Sequence, residues 1–340
     1  MSPRRKAETG APAPRAAKRV LVIQLGGVGA FVRAMAAAKA IRDYHVGARI
    51  TLLTHQAVRE LAEKCPYFDT VDPAGQAKEP QAITQVVGRI RAAKYDMIYD
   101  LEGSNRTSTF FQGLRPWPPL WSGPVANCSH PYLDPERASL HPLDAYAGQL
   151  VAAGISVEGE LLPDLTWLRS ALRDPPRLRP DYFGIRGRYV LILPRGDDNV
   201  RDRRWPEAKY IDIACRIARS DVTPVILGGP EERAIGTAIA KAEPKAKNLV
   251  TRPDLFQCVG LAERAAFALG DDVELMHVAA AAGAPCLVFL SSNASPERAA
   301  PRGPGGAVCF TASVVADLPV EQVERQLRNC GVIQAQRATA

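Results

Sequence analysis

Residues 260–292 read GLAERAAFALGDDVELMHVAAAAGAPCLVFLSS, and this stretch decides the fold. Its pattern predicts a helix at 261–268, a tight turn at 270–272, a second helix at about 274–282 and a strand at 286–290. The first four N–H groups of a helix have no partner within it, and the helix dipole favours negative charge there, so the second helix can bind a diphosphate at its N-terminus. Glu274 occupies the first turn of that helix. The predicted anion site therefore already carries an anion of its own.

The segment from Gly270 to His277 resembles a motif of glycosyltransferase family 9, the heptosyltransferases that build the inner core of lipopolysaccharide. The family motif reads Gly-Asn-Asp-Thr-Gly-Pro-Met-His, and its Thr-Gly pair lies against the phosphates of the sugar nucleotide. The positions that match here are Gly270, Asp272, Met276 and His277. Val273 and Glu274 replace the Thr-Gly pair. The resemblance is collinear over about residues 18–330, and it assigns Asp272, Val273, Glu274 and His277 to the donor side of a site.

Length and composition describe a globular protein. The chain has 340 residues, of which 46% are hydrophobic, enough for two domains of ordinary size. The formal charge of +7 is uneven, because residues 1–20 contain six basic side chains and one acidic one. The rest of the chain is nearly neutral, so we expect no nucleic-acid partner for the folded part. The seven cysteines include no CxxC pair and no histidine at ligand spacing, which indicates reduced thiols and no metal site.

The N-terminal segment 1–17 is rich in proline, alanine and charge, which predicts a disordered basic tail. Two interpretations of this tail remain open: a solvated extension, or a weak basic tether to anionic lipid. The segment lacks the apolar core of a secretory signal, and no apolar run approaches the ~20 residues that cross a bilayer. We expect a cytoplasmic protein, with at most peripheral membrane contact at the inner face of the inner membrane.

The first half opens with an apolar run at 19–25, a glycine-rich turn, an alanine-rich helix at 31–44 and a second strand at 49–54, which together predict a Rossmann-type βαβ unit. In family 9 this turn reads Leu-Gly-Asp, and the Asp is the proposed base that deprotonates the acceptor hydroxyl. The resemblance places Ala30 at that position, where a methyl group cannot take a proton. Gly27 and Gly29 of the same turn are expected on the acceptor side.

Polar side chains follow the predicted strand at 95–101. Ligands bind outside the carboxyl ends of the strands in open α/β sheets, so we consider Asp100 and Glu102 as substitute bases and Arg106 as an acceptor-side residue. The competing interpretation is that Ser104 caps a helix and Arg106 forms a surface ion pair. The segment 114–142 reads as irregular and is expected to form an acceptor-side wall.

The second half repeats the order strand, glycine turn and helix, beginning with a strand at 189–193. Family members place a basic residue before a Trp-Pro pair to contact the donor phosphates, and Arg203 and Arg204 occupy that position here. The turn at Gly228 resembles the family's nucleoside-contacting turn. An alternative is that neighbouring acids at 197–202 already pair with these arginines on a solvated loop. Ser295 stands where relatives often carry an acid.

These features predict an α/β protein of the GT-B type, with two Rossmann-like parallel-sheet domains that face each other across a cleft. We expect the basic tail at 1–17, an acceptor domain at 18–165 and a linker at 166–188. A nucleotide-sugar domain follows at 189–318, then a C-terminal helix at 319–330 that crosses back onto the first domain, and a short tail at 331–340.

The resemblance implies inverting, metal-independent sugar transfer without a cofactor, from a nucleotide-diphospho-sugar, an ADP-sugar first of all, to a lipopolysaccharide-like glycan or lipid-linked acceptor. The changes at Ala30, Val273-Glu274 and Ser295 leave two hypotheses. The first is a heptosyltransferase-type enzyme that works with altered residues, since loss of a base costs roughly 10²–10⁴-fold in rate. The second is a pseudoenzyme, an inactive paralogue that binds a protein partner or serves as a scaffold in an envelope or surface-glycan complex.

Overall fold

The structure is a computed structural model that describes residues 16–73, 79–165, 167–168, 176–196 and 203–334. The predicted basic tail up to residue 15, part of the predicted linker and the acidic loop at 197–202 lie outside these residues. The described chain forms two α/β domains, each built on a six-stranded sheet.

The first domain alternates strands and helices. Its elements are β1 (Arg19–Ile23), α1 (Val28–Tyr44), β2 (Arg49–Leu53), α2 (Arg59–Lys64), β3 (Thr70–Asp72), α3 (Pro80–Ala93), β4 (Met97–Asp100), α4 (Asn105–Gly113), β5 (Leu120–Gly123), β6 (His130–Pro131) and α5 (Pro142–Ala152). The strands lie in the order β3-β2-β1-β4-β5-β6 and pair in parallel.

The second domain has the same plan. Its elements are β7 (Tyr189–Leu193), α6 (Glu207–Ala218), β8 (Thr223–Ile226), α7 (Arg233–Ala242), β9 (Lys247–Asn248), α8 (Leu255–Arg264), β10 (Phe267–Asp271), α9 (Glu274–Ala281), β11 (Cys286–Ser291), α10 (Pro296–Ala299), β12 (Ala307–Ala312) and α11 (Val320–Asn329). The strand order β12-β11-β10-β7-β8-β9 is that of the first sheet, again in parallel. The predicted pair of Rossmann-like domains is confirmed.

The strands are apolar because helices cover both faces of each sheet. Successive side chains of a strand point to opposite faces. In β1, Val20 and Val22 therefore join one apolar cluster and Leu21 and Ile23 join another. The small alanines of α1 let that helix lie close to its neighbours while remaining strongly helical.

The predicted helix at 261–268 is wrong beyond residue 264. The helix α8 ends at Arg264, and Phe267–Asp271 forms β10. Gly270 has φ +152°, and a Cβ atom there would lie 2.1 Å from the carbonyl oxygen of Leu193. Gly270 therefore allows β10 to pack closely against β7, and it does not form a turn. The short apolar run failed to distinguish strand from helix by periodicity alone.

Two further differences concern strands. The segment 114–142, expected to be irregular, contains β5 and β6, with Trp121 fully buried. The strand β12 at the edge of the second sheet was not predicted, because its residues are mostly half-buried and give no clear alternation.

The C-terminal helix stays with the second domain. α11 packs against α6, and Val320, Val323 and Leu327 join the second-domain core. Arg216 of α6 also binds Glu321 and Glu324 of α11, at 3.0 and 2.6 Å. These contacts oppose the predicted crossing back onto the first domain. Within the described residues, no helix combines the length and apolar character needed to span a bilayer.

The two domains share an apolar seam. The main cluster of the first domain continues through α8 and α9, and it includes Phe256, Val259, Val278 and Ala281. The helices α1 and α9 pack directly on each other at this junction. The seam places the N-termini of both helices side by side at the carboxyl edges of the two sheets.

Candidate active site

The site is organised by α1 and α9, which follow the central strands β1 and β10. Each sheet reverses its strand order next to these strands, at the point where open α/β sheets bind ligands. Neither helix has a side-chain cap on its N-terminus. The unpaired N–H groups of both helices therefore face the cleft with the positive ends of their dipoles.

Glu274 reaches across the cleft to the first domain. A Cβ atom on Gly27 would lie only 2.1 Å from Oε1 of Glu274. The carboxylate thus lies against the residue that precedes α1, rather than capping its own helix. The sequence predicts this carboxylate at the N-terminus of α9, whereas in the structure it lies against the residue before α1. Glycine at position 27 leaves room for this approach, and a larger residue would displace the end of the Glu274 side chain.

Gly29 and His277 meet in the same place. A Cβ atom on Gly29 would lie 3.3 Å from Cδ2 of His277 and 3.5 Å from Cα of Glu274. The predicted acceptor-side glycines and the predicted donor-side motif are therefore neighbours. The cleft is narrow at this point, and a ligand must occupy the wider space beside it.

His277 is a half-buried, neutral imidazole. Burial lowers its pKa to about 3, and the charge of Arg33 acts in the same direction. Its Nε2 lies 3.7 Å from Oδ1 of Asp272, and its Nδ1 has no hydrogen-bond partner among the described residues. Burial raises the pKa of Asp272, against the lowering effect of Arg195, Arg33 and Arg203. Asp272 is thus a carboxylate made more basic than usual at the edge of the cleft.

Asp271 anchors the loops around the donor side, a role that the sequence did not reveal. This fully buried carboxylate accepts hydrogen bonds from the backbone N–H groups of Arg195 and Trp205, at 2.9 and 3.0 Å, and from the hydroxyl of Tyr210 at 2.9 Å. Burial raises its pKa to about 7, although all three hydrogen bonds oppose the shift. Arg195 additionally donates to the carbonyl oxygen of Asp272. The only hint of this role in the sequence is the pair of adjacent acids, Asp271 and Asp272.

The arginines predicted to contact donor phosphates precede this anchor. Trp205 is fully buried, Arg204 is half-buried and Arg203 is exposed, close enough to Asp272 to lower its pKa. The predicted nucleoside turn at Gly228 is held by Glu232, which accepts from the N–H groups of Gly229 and Gly196 at 2.6 and 2.8 Å. Both donor-side segments are therefore fixed at the carboxyl edge of the second sheet.

The candidates around the predicted base lie in the first turn of α1, at the carboxyl end of β4 and in the segment that follows β4. Ala30 occupies the first turn of α1 and carries no proton acceptor. Asp100 is fully buried and accepts from the N–H group of Gly103 at 2.8 Å, and burial raises its pKa to about 7. Glu102 accepts from the N–H group of Leu25 at 3.1 Å.

Arg106 is half-buried in the first turn of α4. Ser104 caps this helix through a capping box, as the competing interpretation predicts. The roles of Asp100, Glu102 and Arg106 remain predictions.

A cavity of about 500 Å³ opens between the domains. It is lined by Arg33, Ser139, Pro142, Asp272, His277, Asn293, Ala294, Ser295, Arg298 and Ala299. Arg33 comes from the first domain and Arg298 from the second, and Nε of Arg33 is buried with no partner in the described part of the chain. A larger groove of about 660 Å³ lies along the outer side of α1, lined by the first domain alone. We place the site in the smaller cavity because both domains and the α9 motif form it.

An ion pair and a hydrogen bond close one side of the cavity. Arg302 of the second domain binds both carboxylate oxygens of Asp144, at 2.7 and 2.9 Å, and also lies 3.2 Å from Glu160. His141 accepts from the N–H group of Leu143 through Nδ1, so its Nε2 carries the proton and donates to the carbonyl oxygen of Ala300 at 3.0 Å. These contacts hold the chain that follows the cavity-lining helix α10. Among the residues that the structure describes, no group of His, Cys, Asp and Glu side chains could hold a metal ion.

Comparisons with known proteins agree with this architecture. The family model of glycosyltransferase family 9 (heptosyltransferase) matches residues 171–313. No curated protein matches the chain. A glycosyl transferase family 9 structure from Veillonella parvula is 16% identical, with a TM-score of 0.73 over 92% of this chain and 97% of that chain.

Two structures from E. coli are similar to the same degree. ADP-heptose LPS heptosyltransferase II is 18% identical, with a TM-score of 0.73 over 92% of this chain and 98% of its own. Heptosyltransferase WaaC with ADP-2-deoxy-2-fluoro heptose is 16% identical, with a TM-score of 0.70 over 92% and 99%. At such identities the structures establish the fold, which is GT-B as predicted. The chain is therefore a two-domain GT-B protein, and its residues 171–313 match the family model of glycosyltransferase family 9 (heptosyltransferase).

Proposed function

We propose that this protein is a heptosyltransferase-type glycosyltransferase, which binds a nucleotide-diphospho-sugar in the interdomain cavity and transfers the sugar to a lipopolysaccharide-like glycan. The observation that carries the proposal is the open cavity between the domains, lined by the family 9 motif residues Asp272 and His277. An ADP-sugar is the donor we favour, because solved proteins of this fold bind ADP and an ADP-heptose analogue.

Positive charge supports a diphosphate ligand. Arg33 and Arg298 line the cavity from opposite domains, and guanidinium groups bind phosphate oxygens in two-point contacts. The N-terminus of α9 adds its dipole, since no side chain caps it and Glu274 points to Gly27 instead. In this arrangement the acidic side chain and the ligand occupy different places. A carboxylate that returned to α9 would repel the diphosphate.

The proton of the acceptor hydroxyl needs a group other than Ala30. Among the described residues that line the cavity, Asp272 alone carries a carboxylate. Its raised pKa improves it as a general base, and neutral His277 lies 3.7 Å away. We assign Asp272 the role of proton acceptor in the transfer step. Asp272→Asn should lower kcat by roughly 10²–10⁴-fold while leaving the Kd for the donor within a few-fold.

A second candidate function, binding without turnover, is favoured by a different observation. The base position holds Ala30, and a carboxylate lies between the two helix N-termini. On this hypothesis the protein is an inactive paralogue that serves as a scaffold for a protein partner.

Calorimetry with ADP-sugars and GDP-sugars distinguishes the two functions. Sub-millimolar binding, followed by sugar transfer to a truncated lipopolysaccharide detected by mass spectrometry, supports the enzyme. Binding without transfer supports the scaffold.

The double variant Val273→Thr with Glu274→Gly restores the family's phosphate contact and should tighten donor binding. Glu60→Gly, which removes an acid from the first turn of α2 away from the cleft, is the matched control. Absence of binding in both the wild type and the double variant overturns the proposal.

We also infer a cytoplasmic location at the inner face of the inner membrane. Membrane fractionation of tagged protein, with and without a salt wash, tests this location.

A further inference from the structure

One edge of the first sheet combines exposed cations with exposed apolar side chains. The parallel register aligns Arg19 with Arg49, Val20 with Met97, and Met97 with Leu120. The amino ends of four strands therefore form a single row. The loops before these strands meet at this edge, at the opposite end of the strands from the cleft.

The edge is strongly basic. Its exposed cations are Lys18, Arg19, Arg49, Arg91, Lys94 and Arg115. None of the six forms a salt bridge within the described ranges. Nearby acids are already engaged, since Asp69 binds Arg42 at 2.6 Å and Asp96 accepts from the N–H groups of Lys18 and Arg19.

The N-terminal sequence adds to this charge. Residues 1–15 contain four basic side chains and one acidic one, and the chain enters β1 at this edge. A segment with a net positive charge is thus joined to the basic edge of the first sheet. This continuity favours an anionic partner that both can contact.

Two apolar side chains project from the same edge. Val46 lies in the loop before β2 and Trp117 in the loop before β5, and each is 89% exposed. They are the most exposed large hydrophobic residues in the described chain. Tryptophan is favoured at membrane–water interfaces, where its ring lies at the level of the headgroups. Bases could stack on Trp117 but would leave Val46 in water, whereas a bilayer interface can cover both side chains.

A small cavity of about 320 Å³ lies between the cations. Arg19, Arg49 and Arg89 line it, together with Thr51, Thr70, Asp72, Ala93 and Tyr95. Asp72 binds Arg89 at 3.1 Å, and Arg49 donates to the Thr70 hydroxyl at 3.2 Å. Among the described residues, the guanidinium groups of Arg19 and Arg49 form no salt bridge, which suits the phosphate of a lipid headgroup.

We propose that this edge docks the protein on an anionic lipid bilayer. The docking edge consists of Lys18, Arg19, Val46, Arg49, Arg91, Lys94, Arg115 and Trp117. Cations attract the negative surface, Trp117 and Val46 enter the interface, and the N-terminal segment adds further charge. The cleft lies at the other end of the strands, so bilayer binding leaves it free.

The experiment measures flotation of the full chain with vesicles of phosphatidylcholine, alone or with phosphatidylglycerol. We expect binding to the anionic vesicles that weakens in high salt. Lys94→Glu with Arg115→Glu should lower the partition coefficient about tenfold or more. Arg233→Glu with Lys241→Glu, the same change on exposed residues of α7, is the control and should bind like the wild type.

Trp117 provides a direct readout. The other tryptophans, Trp121, Trp167 and Trp205, are buried or half-buried, so brominated lipid should quench chiefly Trp117. Trp117→Ser should remove most of this quenching and weaken binding several-fold, whereas Tyr182→Ser, at another exposed aromatic residue, should change neither.

Three results would overturn the proposal. They are equal partition onto neutral and anionic vesicles, full binding by the charge-reversed variant, and equally tight binding to a single-stranded nucleic acid of matched charge. Because none of these measurements uses a sugar nucleotide, their failure is distinct from failure of the proposed function.

Discussion

Gly27 and Glu274 touch across the interdomain cleft, with Oε1 of the carboxylate 2.1 Å from the position that a Cβ atom on the glycine would take. The contact joins the residue before α1 to the first residue of α9. The contact places the acidic side chain against the first domain, which explains how a carboxylate can stand in the first turn of α9 without capping the N-terminus of that helix.

This contact predicts unequal effects of two glycine substitutions. Gly27→Ala should lower the free energy of unfolding by at most about 1 kcal/mol, because Gly27 has ordinary dihedral angles and the end of the Glu274 side chain can rotate away. Gly270→Ala should lower it by roughly 3 kcal/mol or more, because φ is +152° and the new atom meets the backbone of Leu193. Urea unfolding measures both. Equal losses would show that the side chain of Glu274 is held rigidly.

Substitution of Asp271 should strongly destabilise the protein. Asp271→Ala should destabilise the protein by about 3–5 kcal/mol, since it leaves the N–H groups of Arg195 and Trp205 buried and unpaired. Tyr210→Phe removes a single hydrogen bond and should cost about 1–2 kcal/mol. Denaturant titrations compare the two variants, and a smaller loss for Asp271→Ala than for Tyr210→Phe contradicts the anchoring role.

His141 should make the protein sensitive to acid. Burial lowers its pKa from 6.5 to about 4, with a further contribution from Arg302, so the folded state resists a proton that the unfolded chain takes up. The resulting stability is complete above pH 6.5 and is lost as the pH falls towards 4. The loss should be on the order of 2–3 kcal/mol.

The variant His141→Gln keeps a donor for the carbonyl oxygen of Ala300 and has no titrating ring. Its stability should therefore fall less than that of the wild type between pH 6.5 and 4, as measured by urea unfolding at several pH values. Parallel curves for the two proteins would exclude this histidine as the source.

The ion pair of Arg302 and Asp144 should contribute little to the free energy of unfolding at neutral pH, and nothing to it in acid. The hydrogen bonds from Arg302 hold the pKa of the Asp144 carboxyl below its ordinary value. The contribution is present above the unfolded pKa of about 3.9 and disappears as the pH falls below it. Both groups are partly exposed, so Arg302→Met should cost within about 1 kcal/mol at neutral pH and less in high salt. A loss that persists at pH 2 would assign the effect to packing.

Arg33 should bind the ligand's anionic group. Arg33→Met should weaken binding of ADP or an ADP-sugar about tenfold, because it removes a cation that lies partly buried in the cavity wall. Arg42→Met, on the same helix and paired with Asp69, is a control that should leave the calorimetric Kd unchanged. If Arg33→Met binds like the wild type, the ligand lies elsewhere in the cleft.

Much of the fold was predictable from the sequence because buried parallel strands are continuous apolar runs. The runs at β1, β7 and β11 needed no tertiary information. The strand β10 was hidden because Phe267–Asp271 contains alanine and glycine, and its identity depends on the neighbouring β7.

The site was predictable only where a motif named it. The motif residues Glu274 and His277 do meet Gly27 and Gly29 in the structure. Arg33 was missed, although it is the first charge in the alanine-rich helix, because no motif marks it. The destination of the Glu274 side chain was also beyond sequence reasoning, since it depends on how the two domains pack.

The apolar seam that runs from the first-domain core into α8 and α9 bears on stiffness. Rotating one sheet against the other would pull Val278 and Phe256 out of a shared hydrocarbon interior and expose that surface to water. The packing at this junction therefore opposes rotation of the domains and keeps the width of the interdomain cavity nearly constant. Any ligand of this cavity would be selected by its size rather than by closure of the domains around it.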